Sequence, residues 1–206
     1  MNKTSVLIVD DHSIVRLGLS SLLGTTDAFT VVGQADNGQA AVTLAKRLHP
    51  KIIIMDLMMP HKDGATATAE ILQDAPSCKI VILTTFGSFN GVAQALKAGA
   101  SGALLKNVDN DTFIDALVRI SRGERVIAPE ISAMLRDTPP IPELSQRQKE
   151  FLQLLVQGLT NCEIANQLSL QEDSVKKLAN QTFDKIGARN RTEAVAIALR
   201  KHLLKI

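Results

Sequence analysis

SVLIVDDHS, residues 5–13, ends a run of aliphatic residues on two adjacent carboxylates, Asp10 and Asp11. Four more short apolar runs follow, and segments with apolar residues at helical spacing separate them. The runs are TVVGQA at 30–35, KIIIM at 51–55, KIVIL at 79–83 and GALLK at 102–106. This alternation is typical of strands that are buried on both faces of a parallel sheet. It predicts a doubly wound α/β fold with a parallel five-stranded sheet.

The composition is that of a globular protein. The chain has 206 residues, of which 45% are hydrophobic and 21% charged, with a net charge of +2. It contains no apolar run long enough to span a bilayer and no segment with the features of a secretory signal. We therefore expect a cytoplasmic protein without a membrane partner, whose two cysteines, Cys78 and Cys162, are reduced packing residues.

Charge divides the chain into two regions. Residues 144–206 contain 10 Lys and Arg against 6 Asp and Glu, a balance of +4. Residues 1–143 contain the remaining 13 Lys and Arg against 15 Asp and Glu, a balance of −2. An acidic N-terminal region followed by a basic C-terminal region indicates that the two regions have different functions.

A proline-rich segment separates the two regions. Pro139, Pro140 and Pro142 fall within four positions and remove backbone donors that a helix or a central strand needs. We predict an α/β domain at 1–122, a linker at 123–143 that begins with a short helix near 129–135, and a second domain at 144–206.

Polar side chains stand where the expected strands end. Asp10 and Asp11 follow the first strand, Asp56 the third, Thr84 the fourth and Lys106 the fifth. Ligands of open α/β sheets bind outside the carboxyl ends of the strands, so these groups should converge. Converging carboxylates repel one another unless a cation neutralises them, and oxygen ligands favour Mg²⁺. The alternative is that each Asp merely caps a helix. Together, the carboxylates, the hydroxyl and the lysine are suited to phosphoryl transfer to a carboxylate.

The motifs around these residues resemble a known family. VDDH at 9–12, MDLMMPHKDG at 55–64, ILTTF at 82–86 and GALLK at 102–106 are similar, in order and spacing, to the receiver domain of bacterial response regulators. The resemblance implies a flavodoxin-like fold, Mg²⁺ as cofactor and a sensor histidine kinase as partner. It implies that Asp56 is the phosphoacceptor, that Asp10, Asp11, Asp56 and the backbone carbonyl of Met58 bind the metal, and that Thr84 and Lys106 are the switch hydroxyl and the phosphate-binding lysine.

One position departs from the receiver pattern. Receivers usually have Tyr or Phe three residues before the lysine, where the ring moves with the switch threonine, and this chain has Ala103. Two possibilities remain open. Phe86 or Phe89 takes over part of that role, or coupling to the output surface is weaker or built differently.

The second region has the pattern of short helices. SQRQ at 145–148 and TNCE at 160–163 both fit the capping box, in which Ser or Thr is followed three residues later by Gln or Glu. Apolar spacing predicts a helix after each box, a third helix whose apolar positions run from Val175 to Ile186, and a fourth in RTEAVAIALRKHLL at 191–204. Two short helices joined by a tight turn, with lysines on the later one, predict a helix-turn-helix.

This region resembles the DNA-binding domain of LuxR-type (NarL-like) regulators, in LSQRQKEFLQLLVQGLTNCEIANQL, SVKK, DKIG and RTEAV. The resemblance implies that the third helix, at about 172–186, binds a double-stranded promoter site and that the fourth, near 192–203, makes homodimer contacts. The expected DNA-binding residues are Lys176, Lys177, Asn180, Gln181 and Lys185, and the expected dimer contacts are Ala194, Val195 and Ala198. The third helix departs from the family pattern at Leu178, Ala179 and Thr182, and Gln171 stands where a Ser or Thr cap is usual.

Together the resemblances imply a response regulator of a two-component system, not an enzyme, in which phosphorylation of Asp56 controls dimerisation and DNA binding. One alternative is a phosphorylation-independent regulator whose receiver is a dimerisation or docking module, which Ala103 favours. Another is a small α/β phosphatase of the haloacid-dehalogenase type. That type requires Asp-x-Asp after its first strand, whereas Asp10 and Asp11 are adjacent. A Rossmann dehydrogenase is disfavoured because no glycine-rich turn follows the first strand.

Overall fold

The computed structural model describes residues 3–85, 89–137, 144–200 and 203–204, with the backbone alone at positions 89, 90 and 200. The chain forms two compact units, Met1–Thr138 and Pro139–Ile206. Each unit has hydrophobic core residues of its own, so the two are described separately.

The first unit is built on a parallel sheet with the strand order β2-β1-β3-β4-β5-β6. The strands are β1 (Thr4–Val9), β2 (Phe29–Ala35), β3 (Ile52–Met55), β4 (Lys79–Thr84), β5 (Gly102–Leu105) and β6 (Val126–Ile127). The structure confirms the doubly wound sheet expected from the sequence. It adds β6, whose two residues are too few to form a recognisable apolar run.

Within the described ranges of this unit, six helices cover the two faces of the sheet. They are α1 (Ser13–Gly24), α2 (Gly38–Leu48), α3 (Gly64–Asp74), α4 (Phe89–Ala98), α5 (Asn110–Ser121) and α6 (Pro129–Asp137). Alternate residues of β1 point to opposite faces. Leu7 and Val9 join a core with α2, α3, α4 and α6, while Val6 and Ile8 join a second core with α1 and α5. Burial on both faces explains why the central strands are apolar throughout.

Part of the segment expected to be a linker forms regular structure on the first unit. The short helix expected near 129–135 is present as α6, and its Ile131 is fully buried in the core beside α4. β6 pairs with β5. β6 and α6 fall within the predicted linker at 123–143 but belong to the first unit. Residues 138–143, which include the three prolines, lie outside the described residues, so only their role as a linker stays a prediction.

The described part of the second unit consists of four helices around one core. They are α7 (Gln146–Val156), α8 (Asn161–Leu168), α9 (Glu172–Ile186) and α10 (Arg191–Arg200). Both expected capping boxes are present, since the hydroxyls of Ser145 and Thr160 accept from the backbone N–H groups of Gln148 and Glu163. Such caps contribute about 1 kcal/mol each. Among the residues that the structure describes, no helix is both long and apolar enough to cross a membrane.

The two cysteines lie in different environments. Cys78 is buried, and its Sγ donates to the carbonyl of Pro50 at 3.3 Å. Burial raises the pKa of the Cys78 thiol to about 11. Cys162 is exposed in the first turn of α8. The expectation that both are packing residues is therefore wrong for Cys162.

Candidate functional site

Parallel pairing places two carboxylates side by side at the carboxyl end of the sheet. Val9 of β1 lies opposite Met55 of β3, and Asp10 and Asp56 are the next residues of the two chain segments. The backbone N–H of Asp56 donates to the carbonyl of Val9 at 2.8 Å, which holds the two segments together at this point. Asp10 is 1% exposed and Asp56 is 4% exposed. The two residues form a buried acidic pair.

Lys106 bridges this acidic pair from the end of β5. Its Nζ lies 2.6 Å from Asp10 Oδ2 and 2.9 Å from Asp56 Oδ2. The other oxygen of each carboxylate accepts from a backbone N–H, Asp10 Oδ1 from His12 and Asp56 Oδ1 from Leu57. Donors on both oxygens lower the cost of burying these charges.

Burial and charge pairing have opposite effects on the two ionisable groups. Burial raises the pKa of Asp56 above its ordinary value of 3.8, and the hydrogen bond from Lys106 offsets this only in part. Burial by itself lowers the pKa of Lys106, but the hydrogen bonds to Asp10 and Asp56 outweigh it, and the pKa is raised. The lysine therefore stays a cation beside a carboxylate whose charge is unfavourable in the folded protein.

Asp11 and His12 complete a group of possible metal ligands. One ligand atom from each of Asp10, Asp11, His12 and Asp56 lies within 4.8 Å of the others. Asp11 Oδ1 is buried and has no hydrogen-bond partner among the described residues. His12 Nδ1 lies 2.7 Å from it, but without the geometry of a hydrogen bond. A buried carboxylate oxygen without a donor fits a hard divalent cation. The donor set therefore fits a metal ion that prefers oxygen ligands.

Thr84 and Met58 lie near the same edge of the sheet. Thr84 ends β4 and is 2% exposed, and its hydroxyl donates weakly to the backbone carbonyl of Thr85 at 3.4 Å. Met58 is two residues beyond Asp56 and is 42% exposed.

Gly64 closes the loop that carries Asp56. Its backbone N–H donates to the carbonyl of Leu57 at 3.0 Å. A Cβ at this position would lie 2.0 Å from the carbonyl oxygen of Asp56, a distance that no real contact allows. Only glycine therefore lets α3 begin directly against the backbone of Asp56.

Ala103, where receivers usually have an aromatic ring, is fully buried. It belongs to the core that contains Val92 of α4 and Ile131 of α6. The backbone N–H of Ala128, just before α6, donates to the carbonyl of Ala103 at 2.9 Å. β5 is thus tied to the start of α6 at the position of the absent ring. Phe86 and the side chain of Phe89, the two possible substitutes, lie outside the described residues.

In the second unit, α8 and α9 form the helix-turn-helix expected from the sequence. Ser169 ends α8 in the left-handed conformation, with φ 53°, and the chain turns within residues 169–171. α9 has the range expected for the recognition helix. Its buried side packs into the core through Val175, Ala179, Thr182 and Ile186.

Four of the five expected DNA-binding residues are exposed on α9, namely Lys176, Lys177, Asn180 and Gln181. Lys185 is half-buried, and its Nζ donates to Gln148 Oε1 at 3.3 Å. Gln171 precedes α9 without a side-chain cap bond, as its departure from the family pattern predicts. The exposed side of α9 can therefore reach a groove, although one expected lysine is partly engaged within the unit.

Acidic residues also occupy the exposed side of α9. Lys176 Nζ lies 3.1 Å from Asp173 Oδ1 and 3.7 Å from Glu172 Oε1, and the hydrogen bond to Asp173 is the main cause of its raised pKa. Asp184 is exposed as well, although it was not among the residues predicted from the sequence. Its spacing of four residues from Asn180 was the signal that could have placed it on the same side.

The expected dimer contacts on α10 need correction. Ala194 and Ala198 are 0% and 1% exposed, and Val195 packs partly buried against the same core. The prediction that Ala194 and Ala198 are surface contacts is wrong, because their helical spacing serves packing inside the unit. Along the described part of α10, the exposed side carries Thr192, Ala196 and Leu199.

The chain matches two protein families, one in each unit. Residues 6–118 match the response regulator receiver domain, and residues 142–198 match the luxR family of bacterial regulatory proteins. The transcriptional regulatory protein YdfI of Bacillus subtilis (strain 168) is 37% identical over 216 residues, covering 100% of this chain and 99% of the relative. The response regulator protein VraR of Staphylococcus aureus (strain NCTC 8325 / PS 47) is 36% identical over 205 residues, covering 97% and 98%.

Solved structures share both units. The response regulator ChrA of a heme-sensing two-component system is 35% identical, with a TM-score of 0.59 over 99% of this chain and 100% of that one. RcsB from Salmonella enterica serovar Typhimurium, bound to promoter P1flhDC in the presence of the phosphomimetic BeF3-, is 25% identical, with a TM-score of 0.68 over 98% and 100%. With both families matched and relatives aligned from end to end, the chain belongs to the response regulators that join a receiver domain to a LuxR-type DNA-binding domain for transcription regulation.

Proposed function

We propose that Asp56 accepts a phosphoryl group from a sensor histidine kinase or a small acyl phosphate, and that this step controls dimerisation and promoter binding. The observation that carries the proposal is the 2.9 Å contact between Asp56 Oδ2 and Lys106 Nζ, beside Asp10. A buried carboxylate with a cation in reach is suited to receive a group that brings negative charge.

The chemistry proceeds at one oxygen of Asp56. Oδ1 is held by the N–H of Leu57, so Oδ2, which faces Lys106, is the oxygen placed for attack. It forms a bond to phosphorus as the bond from phosphorus to the donor breaks, and the leaving group departs with the electron pair. Lys106 then donates to a phosphoryl oxygen while it stays paired with Asp10. The Thr84 hydroxyl exchanges its weak bond to the Thr85 carbonyl for a second phosphoryl oxygen.

Mg²⁺ is the metal that this donor set would hold. Asp10, Asp11, Asp56 and the backbone carbonyl of Met58 would be its protein ligands, and the buried Asp11 Oδ1, which accepts no hydrogen bond from the described residues, supports this assignment. The ion supplies shielding between the carboxylates and the phosphoryl oxygens. The unfavourable charge of Asp56 in the folded protein is a further reason to expect a cation there.

The signal must stabilise one receiver conformation over another. A change from 1:99 to 99:1 requires about 5.5 kcal/mol. Thr84 and Lys106 stand at the ends of β4 and β5, and β5 is bonded through Ala103 to the start of α6. In this proposal α6 transmits the change that an aromatic side chain transmits in other receivers.

The second unit supplies promoter binding and part of the dimer. Exposed Lys177, Asn180 and Gln181 on α9 would enter the major groove of double-stranded DNA. The RcsB structure bound to a promoter supports this use of the fold. For the homodimer, the exposed side of α10, with Leu199 42% exposed, replaces the contacts expected from the sequence. We further propose that the protein acts in the cytoplasm, with a first domain that extends through α6, a second domain at 144–206 and a linker at 138–143 between them.

Intact mass after incubation with acetyl phosphate and Mg²⁺ tests the proposal. We expect the wild type to gain one phosphoryl group and to dimerise, as measured by light scattering, and Asp56→Ala to do neither. Asp27→Asn, which removes an exposed carboxylate elsewhere on the first unit, is the matched control and should behave as the wild type. Phosphorylation of Asp56→Ala to the same extent would disprove the assignment of the acceptor.

A phosphorylation-independent regulator is the second candidate, and the buried Ala103 favours it. Without the usual ring, the receiver could serve as a constant dimerisation module. In that case the untreated protein is already a dimer that binds DNA, and phosphorylation changes neither property.

A further inference from the structure

The exposed side of α9 is not basic. Its exposed charged residues are Glu172, Asp173 and Asp184 on the acidic side and Lys176 and Lys177 on the basic side, which gives a formal charge of −1 (two minus three). Binding to the phosphates of arbitrary DNA is driven by lysine and arginine. A recognition helix with this charge is therefore poorly suited to non-specific binding.

Ion pairing within α9 reduces its attraction for phosphate further. Lys176 is held between Asp173 and Glu172 on the first two turns of the helix. A DNA phosphate would have to compete with both carboxylates for this ammonium group. Lys177 is thus left as the exposed lysine of α9 for which the described contacts show no acidic partner.

Asp184 has no structural role that the described contacts reveal. It is exposed in the last turn of α9, and its carboxylate has no hydrogen bond or ion pair among the described residues. A negative charge near a helix C-terminus is unfavourable because it lies beside the negative end of the helix dipole. The residue therefore carries a local cost without a compensating contact.

Asp184 lies on one exposed line with the residues expected to contact DNA. Asp173, Lys177, Asn180 and Asp184 follow one another at spacings of four, three and four, and all are exposed. Residues at these spacings share one side of a helix. A groove that receives this side of α9 would therefore bring both carboxylates close to DNA.

We propose that Asp173 and Asp184 are specificity determinants, which repel the phosphates of arbitrary DNA and accept hydrogen bonds from cytosine amino groups at the correct site. This inference rests on the proposed binding of DNA by α9. An ionised carboxylate only accepts hydrogen bonds, and in the major groove the cytosine N4 amino group is its characteristic partner. Repulsion between one carboxylate and one phosphate about 7 Å apart weakens binding by about threefold without salt and by about twofold at about 50 mM salt.

The test compares isosteric variants of the full chain on random-sequence duplex DNA, with each protein untreated and after acetyl phosphate treatment. Asp184→Asn should bind about twofold more tightly than the wild type at about 50 mM salt, and less so at about 200 mM, because salt screens the repulsion. Asp173→Asn should bind at least as tightly as Asp184→Asn, because it also releases Lys176 from its ion pair. Glu150→Gln on α7 is the matched control, since it removes the same charge from the same unit away from the exposed line on α9, and it should bind as the wild type.

Sequencing of the DNA selected from a randomised duplex pool provides the second readout. The wild type should enrich cytosine at defined positions, and Asp184→Asn should lose the enrichment at one of them while the rest of the motif is retained. Unchanged affinity for random DNA in both Asp variants, or tighter binding by Glu150→Gln to the same degree, overturns the inference. If neither the wild type nor any variant binds DNA, the proposed function fails together with it.

Discussion

Replacement of Lys106 by Met tests the electrostatic account of the acidic pair. The change removes the ammonium group that lies 2.6 Å from Asp10 and 2.9 Å from Asp56 but keeps most of the aliphatic stem. Each carboxylate then retains one backbone donor, and the two buried charges face each other. Loss of one partner from a buried ion pair costs about 3 to 5 kcal/mol. Because the Lys106 side chain is 17% exposed, we expect the lower end, about 3 kcal/mol, or a melting temperature about 10 °C lower.

The assay is thermal unfolding followed by circular dichroism, without divalent cations, at pH 7 and pH 5. The pKa of Asp56 is raised above 3.8 in the folded protein. Between pH 3.8 and the raised pKa, the folded protein therefore binds more protons than the unfolded protein, and the contribution of Asp56 to stability falls as the pH rises through this range. Without Lys106 the pKa of Asp56 rises further, and the variant should be less destabilised at pH 5 than at pH 7.

Lys46→Met is the control, because the Lys46 side chain is 57% exposed and its pair with Asp74 lies on the surface. We expect little change in its melting temperature, since exposed ion pairs contribute little. Mg²⁺ should raise the melting temperature of Lys106→Met by more than that of the wild type, because it replaces the missing positive charge. Equal effects of the two lysine substitutions, or a loss at pH 5 as large as at pH 7, would refute this account.

Three further substitutions probe single contacts. Thr68→Val should raise the free energy of unfolding, measured by urea titration, by about 1 kcal/mol, because it removes a buried hydroxyl that has no partner among the described residues. The control Thr66→Val changes an exposed threonine on the same helix and should leave the free energy of unfolding unchanged. Gly64→Ala should lower the free energy of unfolding by about 3 kcal/mol and slow phosphorylation, because the added Cβ displaces the Asp56 backbone. Gly18→Ala is the control: a Cβ there meets nothing within 4 Å, and the free energy of unfolding should rise by about 1 kcal/mol. Gln171→Ser should raise the melting temperature of the second unit by restoring the missing cap, worth about 1 kcal/mol, and no change would show that another group already satisfies the first turn of α9.

The site in the first unit could be predicted because it depends on where strands end. Apolar runs locate β1, β3 and β5, and parallel pairing brings the next residues, Asp10, Asp56 and Lys106, to one edge. The direct contact of Lys106 with both carboxylates was not predictable, because it depends on the side-chain conformation. β6 was missed because two residues carry no periodicity.

The predictions for the second unit were less complete because alanines and charges are less informative than large apolar residues. The capping boxes at Ser145 and Thr160 follow from local rules, and the range of α9 follows from the family resemblance. Ala194 and Ala198 have side chains that suit either a core or a close helix contact, and only packing shows that they are core residues. Asp184 belongs to no motif, and the role proposed for it follows only from the charges on the whole exposed side of α9.

Because Cys78 is buried and Cys162 is exposed, the two native cysteines can report local opening of the first unit without an introduced label. A buried thiol with a pKa of about 11 is almost fully protonated at neutral pH, so an alkylating reagent reaches Cys78 only when the first unit opens. Cys162 reacts continuously from the surface of the second unit and reports reagent activity in the same molecule. Alkylation kinetics read by mass spectrometry could therefore follow how a phosphoryl group on Asp56 changes the opening of the receiver, with no introduced label.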